Sequence, residues 1–314
     1  MTESPLGRIV EIAEVGRHLA KDRGFLIVSS GGAEIGRVPL DDLSAVIVSA
    51  PGTTVSCSLL SDLASRGISF AVCGQNFAPA ALLWPVDGHH AQQRRMEGQI
   101  NSTKVVARKI WTQLVVAKIR WQGWAVSKAG HRSGAFESLA RAVKAGDPEN
   151  IEAQAARRYW PLMFGPDFRR DTEAPGTNAL LNYGYAILRS ATARAIAAAG
   201  LHPGMGVFHR HPHNAMPLAD DLMEPFRPHL DLEVLSLTRE GLLGVDKDAK
   251  RRLVGVLFAE LPTSAGNSPI QTCLMRLAQS IAASYVSGEI SISLPRFPAS
   301  SRQETVDEQE SGSR

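Results

Sequence analysis

Apolar and polar positions alternate with one rhythm near the start of the chain and another through the rest of it. Over the first 80 residues the apolar runs are short, rich in Val and Ile, and broken every few positions by Gly, Ser or Asp, as in hairpins. Strands are predicted over 7–13, 17–21, 24–29, 34–40 and 43–49, with a turn at Gly31 and Gly32 and a close at Pro51 and Gly52. Inside this region 55–65 reads as a helix, with Leu59, Leu60 and Leu63 on one face, and 68–73 returns to strand. The stretch 74–88, which holds Gly, Pro and Asn, reads as a connection.

From Gln92 the period becomes helical. Ile100, Val105, Val106, Ile110, Leu114, Val115 and Ile119 recur near 3.6-residue spacing through 92–128. Further helices are predicted over 136–144, from Asp147 onward, over 177–199 ended by Gly200, over 246–260 and over 269–287. Asp147-Pro148-Glu149 has the residues of a helix start: a capping acid, a proline suited to the first turn and an acid at the positive end of the dipole. A short last strand is expected over 289–294, and the polar tail 301–314 is expected to be disordered. The pattern gives an α+β chain: a small N-terminal β-sandwich-like domain (1–80), a linker (81–91) and a larger, mainly α-helical domain (92–300).

Composition narrows this only a little. With 314 residues, 44% hydrophobic and 21% charged, the chain is an ordinary globular protein able to bury a core. Its net charge of +3 is compatible with a polyanionic partner without requiring one; the tail carries a net −2, leaving the body near +5. Cys57, Cys73 and Cys273 have no CxxC spacing and suggest neither a disulfide framework nor a zinc finger. No signal peptide and no apolar run of membrane-spanning length is seen, so a cytoplasmic protein without a membrane is expected. Arg94, Arg95, Lys104, Arg108, Lys109, Lys118 and Arg120 read as a solvated helix face, with a DNA-facing strip as the competing reading. Trp111, Trp121 and Trp124 read as core or interface.

Two stretches carry candidate chemistry. In the helix after Asp147, positions 152, 155, 156 and 159 share one face, which puts Glu152 on a stripe with Ala155, Ala156 and Tyr159. A carboxylate on a buried stripe needs a compensating cation or donor, either a metal ion or an arginine of a neighbouring element. In 206–227, His209 is followed by Asp220, Asp221 and Glu224. Asp221 and Glu224, three apart, can converge on one ion, and oxygen ligands with one imidazole suit a hard divalent cation. Asp220 is equally explained by an acidic first turn, and Pro225 should end or kink the helix there. His209, His211 and His213 alternate, but Pro212 interrupts them and no HExxH or cysteine partner exists for a zinc site.

The blocks IEAQAARRYWPLMFG (151–165), NALLNYGYAILRSATARAIAAAGLHPGMGVFHR (178–210) and PLADDLMEPFRP (217–228) closely resemble the CRISPR-associated integrase family, in the family's order and spacing and in the style of the version that accompanies type II systems. The resemblance covers the whole architecture and implies a dimerising β domain followed by a helical catalytic domain. It assigns the metal ligands to Glu152, His209 and Glu224. It makes Asp221 an accompanying acid, acting on the ion directly or through water, and matches Tyr183 to a tyrosine near the reacting phosphate. Asn178 and Arg227 are further candidates for organising the site, and Arg157, Arg158, Lys104 and Arg108 for contacting DNA.

The implied activity is joining of the 3′-hydroxyls of captured spacer DNA to a CRISPR repeat by transesterification with Mg²⁺ or Mn²⁺. The implied assembly is a homodimer that flanks a small CRISPR-associated partner in a heterohexamer on double-stranded DNA. A stand-alone metal-dependent nuclease acting on branched DNA in repair, and a non-enzymatic DNA scaffold, are the competing functions.

Overall fold

The computed structural model describes residues 8–74, 79–83, 85, 91–209, 211 and 213–297; the tail 301–314 lies outside them, as does most of the expected linker. The N-terminal part consists of β1 (Arg8–Ile12), β2 (Arg17–Asp22), β3 (Phe25–Ser30), β4 (Ala33–Pro39), β5 (Leu43–Val48), β6 (Thr54–Val55), α1 (Cys57–Ser65), β7 (Ser69–Cys73) and β8 (Pro79–Leu82). These form two four-stranded sheets. One runs β4-β3-β2-β6, antiparallel except for the β2–β6 pair; the other runs β1-β5-β7-β8, parallel except for the β7–β8 pair.

Leu19 and Leu26 of the first sheet, Val46, Val48 and Phe70 of the second, and Leu59 and Leu63 of α1 close a single core. The other face of the second sheet, with Ile9, Ala45, Ile47 and Ala71, is turned to the helical part. Burial on both faces explains why β5 reads as a nearly continuous apolar run rather than an alternation. Strand β8 extends the sheet past position 80 into the stretch read as a connection.

The helical part contains α2 (Gln92–Ile100), α3 (Lys104–Lys128), α4 (Gly134–Ala142), α5 (Ile151–Phe164), α6 (Thr177–Ala198), α7 (Pro217–Met223), α8 (Arg227–Arg239), α9 (Lys247–Gly255), the hairpin β9 (Glu260–Thr263) and β10 (Gly266–Pro269), and α10 (Ile270–Ser287). The period through 92–128 belongs to two helices. The chain breaks at Asn101 to Thr103, where the Thr103 hydroxyl accepts from the Val106 amide at 3.3 Å and restarts the helix. Helices α3 and α6 organise the rest: α3 packs on α4, α5 and α8, and α6 on α7, α8, α9 and α10. The α6–α8 crossing depends on Gly184, where a Cβ would come within 2.2 Å of Leu230 Cδ2.

Three further expectations change. Helix α5 starts at Ile151, after Pro148 and Glu149, because Asn150 is the cap (φ 52°); Asp147 still caps it, accepting from the amides of Ile151 (2.8 Å) and Glu152 (3.0 Å). Residues 246–260 form a shorter helix that leads into β9. Residues 289–294 form no strand, because amides there are taken by α10 side chains: Ser291 N–H by Ser284 Oγ (3.2 Å) and Ser293 N–H by Ser280 Oγ (2.8 Å).

Candidate metal and DNA site

Three segments far apart in sequence meet at one ammonium group. Lys118 of α3 contacts Oε1 of Glu152, from the first turn of α5, and lies 2.5 Å from Oε2 of Glu224, in the 3₁₀ turn Glu224–Phe226 between α7 and α8. The helix face drawn as solvated therefore does not include Lys118, which is buried with Trp111, Leu114, Val115 and Ile119. Burial would raise the Glu224 carboxyl, but Arg227 and Lys118 more than offset it and hold it below the usual range. The same balance acts on Lys118, where Glu224 and Glu152 outweigh burial and keep the ammonium charged. Glu224 Oε1 faces Arg227 Nη1 at 3.2 Å, while Oε2 has charge partners but no well-directed hydrogen bond.

Beside this pair, Asp221 of α7 builds the His209 loop. It is fully buried, and its Oδ2 accepts from the amides of Val207 (2.6 Å) and Phe208 (2.9 Å). Its Oδ1 accepts from His209 N–H (3.3 Å) and contacts His209 Nδ1 at 2.6 Å. Asp221 thus orients the imidazole and leaves Nε2 as the nitrogen for a ligand, as the outer partners of metal-binding histidines do. This hydrogen bond raises the His209 pKa against the effect of burial, with Glu224 close enough to contribute. Gly206 lets the loop close, since a Cβ there would lie 2.4 Å from the His209 carbonyl oxygen. Asp220, next in sequence, turns the other way and pairs with Arg189 at 2.8 Å.

Arg227 also packs on Tyr185, 4.8 Å from the ring centroid, and the Tyr185 hydroxyl donates to Asp231 Oδ1 at 2.5 Å. The second Asp231 oxygen accepts from Tyr159 at 2.8 Å; burial raises the Asp231 pKa to about 6. Tyr183 contacts the β domain. Its hydroxyl donates to Glu11 of β1 at 2.7 Å, Glu11 pairs with Lys250 at 3.0 Å, and burial with the Glu11 hydrogen bond pushes the phenol upward. Of the two nearby tyrosines, Tyr185 is the one in contact with Arg227. Asn178 is buried and ties down the loop before α6, donating to the Arg169 carbonyl and accepting from Arg170 and the Asp171 amide.

Arg157, Arg158, Lys104 and Arg108 are exposed. Lys104 and Arg108 line an open groove of about 520 Å³ with Trp111 and Phe208. Phe208 is 49% exposed and stacks on Trp111 with centroids 4.3 Å apart, immediately before His209.

Among the described residues no three His, Cys, Asp or Glu side chains converge as a closed metal cluster. The donor chemistry nevertheless fits a divalent cation: two carboxylates already share one cationic group, Glu224 Oε2 is buried with the Lys118 ammonium as its contact, and His209 is braced through Nδ1. Lys118, Tyr185 and Asp231 are site residues that the motif blocks do not single out. Lys118 falls on the apolar face of α3 by its own spacing, three after Val115 and four after Leu114, so the sequence did carry a signal for it.

The profile of the family described as "CRISPR associated protein Cas1" matches residues 10–261. The chain belongs to the Cas1 family. A CRISPR-associated endonuclease Cas1 of Neisseria meningitidis is 36% identical over 207 residues, covering 65% of this chain and 68% of the relative. A second relative with that description, from Pyrobaculum aerophilum, is 29% identical over 247 residues, covering 71% and 81%. Among solved structures, a casposase bound to an integration product aligns with a TM-score of 0.74 at 18% identity, over 96% of this chain and 99% of that one. A Cas1 protein from Thermotoga maritima gives 0.72 at 14%, over 93% and 100%. A chain of a Cas6-RT-Cas1–Cas2 complex gives 0.73 at 18%, over 94% of this chain and 37% of that one. Membership of this family makes the chain a CRISPR-associated nuclease of spacer integration, a class of enzyme that depends on a divalent metal. Among the described residues, no helix is long and apolar enough to cross a membrane.

Proposed function

We propose that Glu152, His209 and Glu224 hold Mg²⁺ or Mn²⁺ and that the enzyme joins 3′-hydroxyl ends of spacer DNA to the repeat by transesterification. The observation that carries this is the meeting of Glu152 and Glu224, from separate segments, on one cationic group beside a histidine braced by Asp221. When bound, the cation supplies electrostatic stabilisation of the scissile phosphate and of the departing 3′-oxygen. The protein's own residues do the rest. Asp221 holds the Nδ1 side of His209 and presents Nε2. Arg227 and Lys118 keep Glu224 ionised against the effect of burial, and they are the cationic groups beside the carboxylates that a phosphodiester would meet. One phosphodiester replaces another, so no ATP is needed.

DNA is gripped mainly through phosphates. Arg157, Arg158, Lys104, Arg108 and Arg227 provide the cations, and Asn178 ties down the loop that carries Arg169 and Arg170. The working assembly is a cytoplasmic homodimer formed through the β domain, two of which flank a small CRISPR-associated partner in a heterohexamer. The β domain 1–80 and the catalytic domain 92–300 divide these tasks.

The test is divalent-dependent joining of a short duplex with free 3′-hydroxyls into a supercoiled plasmid carrying a repeat, with the partner protein present. Joined product that disappears with chelator supports the proposal. Cleavage without joining would replace it with the stand-alone nuclease of branched DNA.

A further inference from the structure

Two guanidinium groups are held on one tyrosine ring at the edge of the carboxylate site. Arg227 lies 4.8 Å and Arg170 5.6 Å from the Tyr185 centroid. The ring is fixed by its hydroxyl, which donates to buried Asp231 at 2.5 Å, and Asp231 is fixed in turn by Tyr159 at 2.8 Å. Both guanidiniums are partly buried, and burial together with Arg227 lowers the Arg170 pKa although the Asp231 and Asp171 carboxylates act against this without touching it, a cost that an anion bound to both arginines would relieve.

Their existing partners do not supply that anion equally. Arg227 has Glu224 at 3.2 Å, while its Nε is buried without a hydrogen bond. Arg170 has three neutral acceptors: Asn178 Oδ1 (2.9 Å) and the Asp171 carbonyl (3.1 Å) on Nη1, and Asn182 Oδ1 (2.5 Å) on Nη2. Among the described residues no carboxylate pairs with Arg170. It is a cation aimed and stiffened by amides, with its charge uncompensated by any direct partner.

We propose that Arg170 and Arg227, carried on Tyr185, form a seat for a DNA phosphate next to Glu224, with Arg170 a binding residue for the strand that enters the site. A planar guanidinium pair suits a phosphodiester because each fork can direct two N–H groups at its oxygens. The inference rests on the DNA-joining function above. The opposing reading is that Arg170 only anchors the loop ahead of α6.

Salt dependence of DNA binding separates the two, since deleting a cation that neutralises one phosphate makes the slope of log K against log salt shallower by about one. The full chain would be titrated with a short fluorescent duplex in chelator, so that no chemistry occurs. Arg170→Gln should weaken binding and lower the slope by about one. Asn182→Ala, which loosens the same loop but keeps the guanidinium, should leave the slope unchanged. Arg170→Lys, which keeps the charge, should retain the wild-type slope with weaker binding; it serves if the Gln variant does not fold. A wild-type slope in folded Arg170→Gln, a slope reduced by one in Arg170→Lys, or an equal reduction of slope in Asn182→Ala would overturn the seat while leaving the joining function in place. Failure of the wild-type chain to bind DNA at all would remove both.

Discussion

Asp221 holds the Nδ1 side of His209, the proposed metal ligand. Its Oδ1 lies 2.6 Å from His209 Nδ1, its Oδ2 is occupied by the amides of Val207 and Phe208, and none of its surface is exposed. Such outer partners typically contribute about 10- to 100-fold in metal affinity or activity, so Asp221→Asn should cut joining by roughly that factor. A pH series adds a signature. The Asp221 hydrogen bond raises the His209 pKa above its ordinary 6.5, and a protonated imidazole cannot ligate. Wild-type joining should therefore fall as pH drops through that raised pKa, and the falling limb should move to lower pH in Asp221→Asn.

Lys118 is the counter-charge of two carboxylates. Removing one partner of a buried ion pair typically costs ~3–5 kcal/mol, and Lys118→Met leaves Glu152 and Glu224 facing each other without it. The variant should lose a large part of its stability in urea denaturation. Added Mn²⁺ should restore some of it, and should fail to do so when Glu152→Ala is combined with it.

Gly206 has no room for a methyl group, because the His209 carbonyl would lie 2.4 Å from it and Pro217 Cβ 2.9 Å. Gly206→Ala should cost ~1–3 kcal/mol, as overpacking does, and should displace His209. Joining should fall more than DNA affinity does, which parallel rate and binding titrations would show.

The fold was legible wherever one periodicity sufficed. Strands β2, β3 and β4 of the first sheet, the long α6 and the acid of Glu152 on a small apolar stripe all follow from spacing, whereas the two-residue β6 does not. The helix at 227–239 was hidden by Pro225 and Pro228, although Pro228 stands in the first turn, where no amide donor is missed. Lys118 obeyed the same face rule as Glu152 but was grouped with its charged neighbours. The sequence sets Asp221 apart from Asp220 by its spacing to Glu224, but adjacent helical residues point about 100° apart and only packing shows that one meets His209 and the other Arg189. The same holds for Tyr183 and Tyr185, one bound to Glu11 and the other under Arg227. The cost of a carboxylate on an apolar stripe is visible in a sequence; the identity of its partner 34 residues away is not.

His229 gives the fold its own acid sensitivity. It is buried against Trp121 and Trp124, and desolvation lowers its pKa to about 3. The unfolded chain takes up this proton near 6.5 and the folded one does not, so stability is present above 6.5 and is lost as pH falls toward 3. Between pH 7.5 and 5 the loss from this group alone is about 2 kcal/mol. His229→Phe should remove that part of the difference between urea midpoints measured at the two pH values.

The central claim is that Glu152, His209 and Glu224 act together as the metal site of DNA joining. Its most direct test is the Mn²⁺-dependent joining rate of Glu152→Ala, His209→Ala and Glu224→Ala beside wild type, with folding checked by thermal denaturation. Loss of joining in all three folded variants, with DNA binding retained, is the predicted result. Joining at the wild-type rate in any one of them would contradict the assignment.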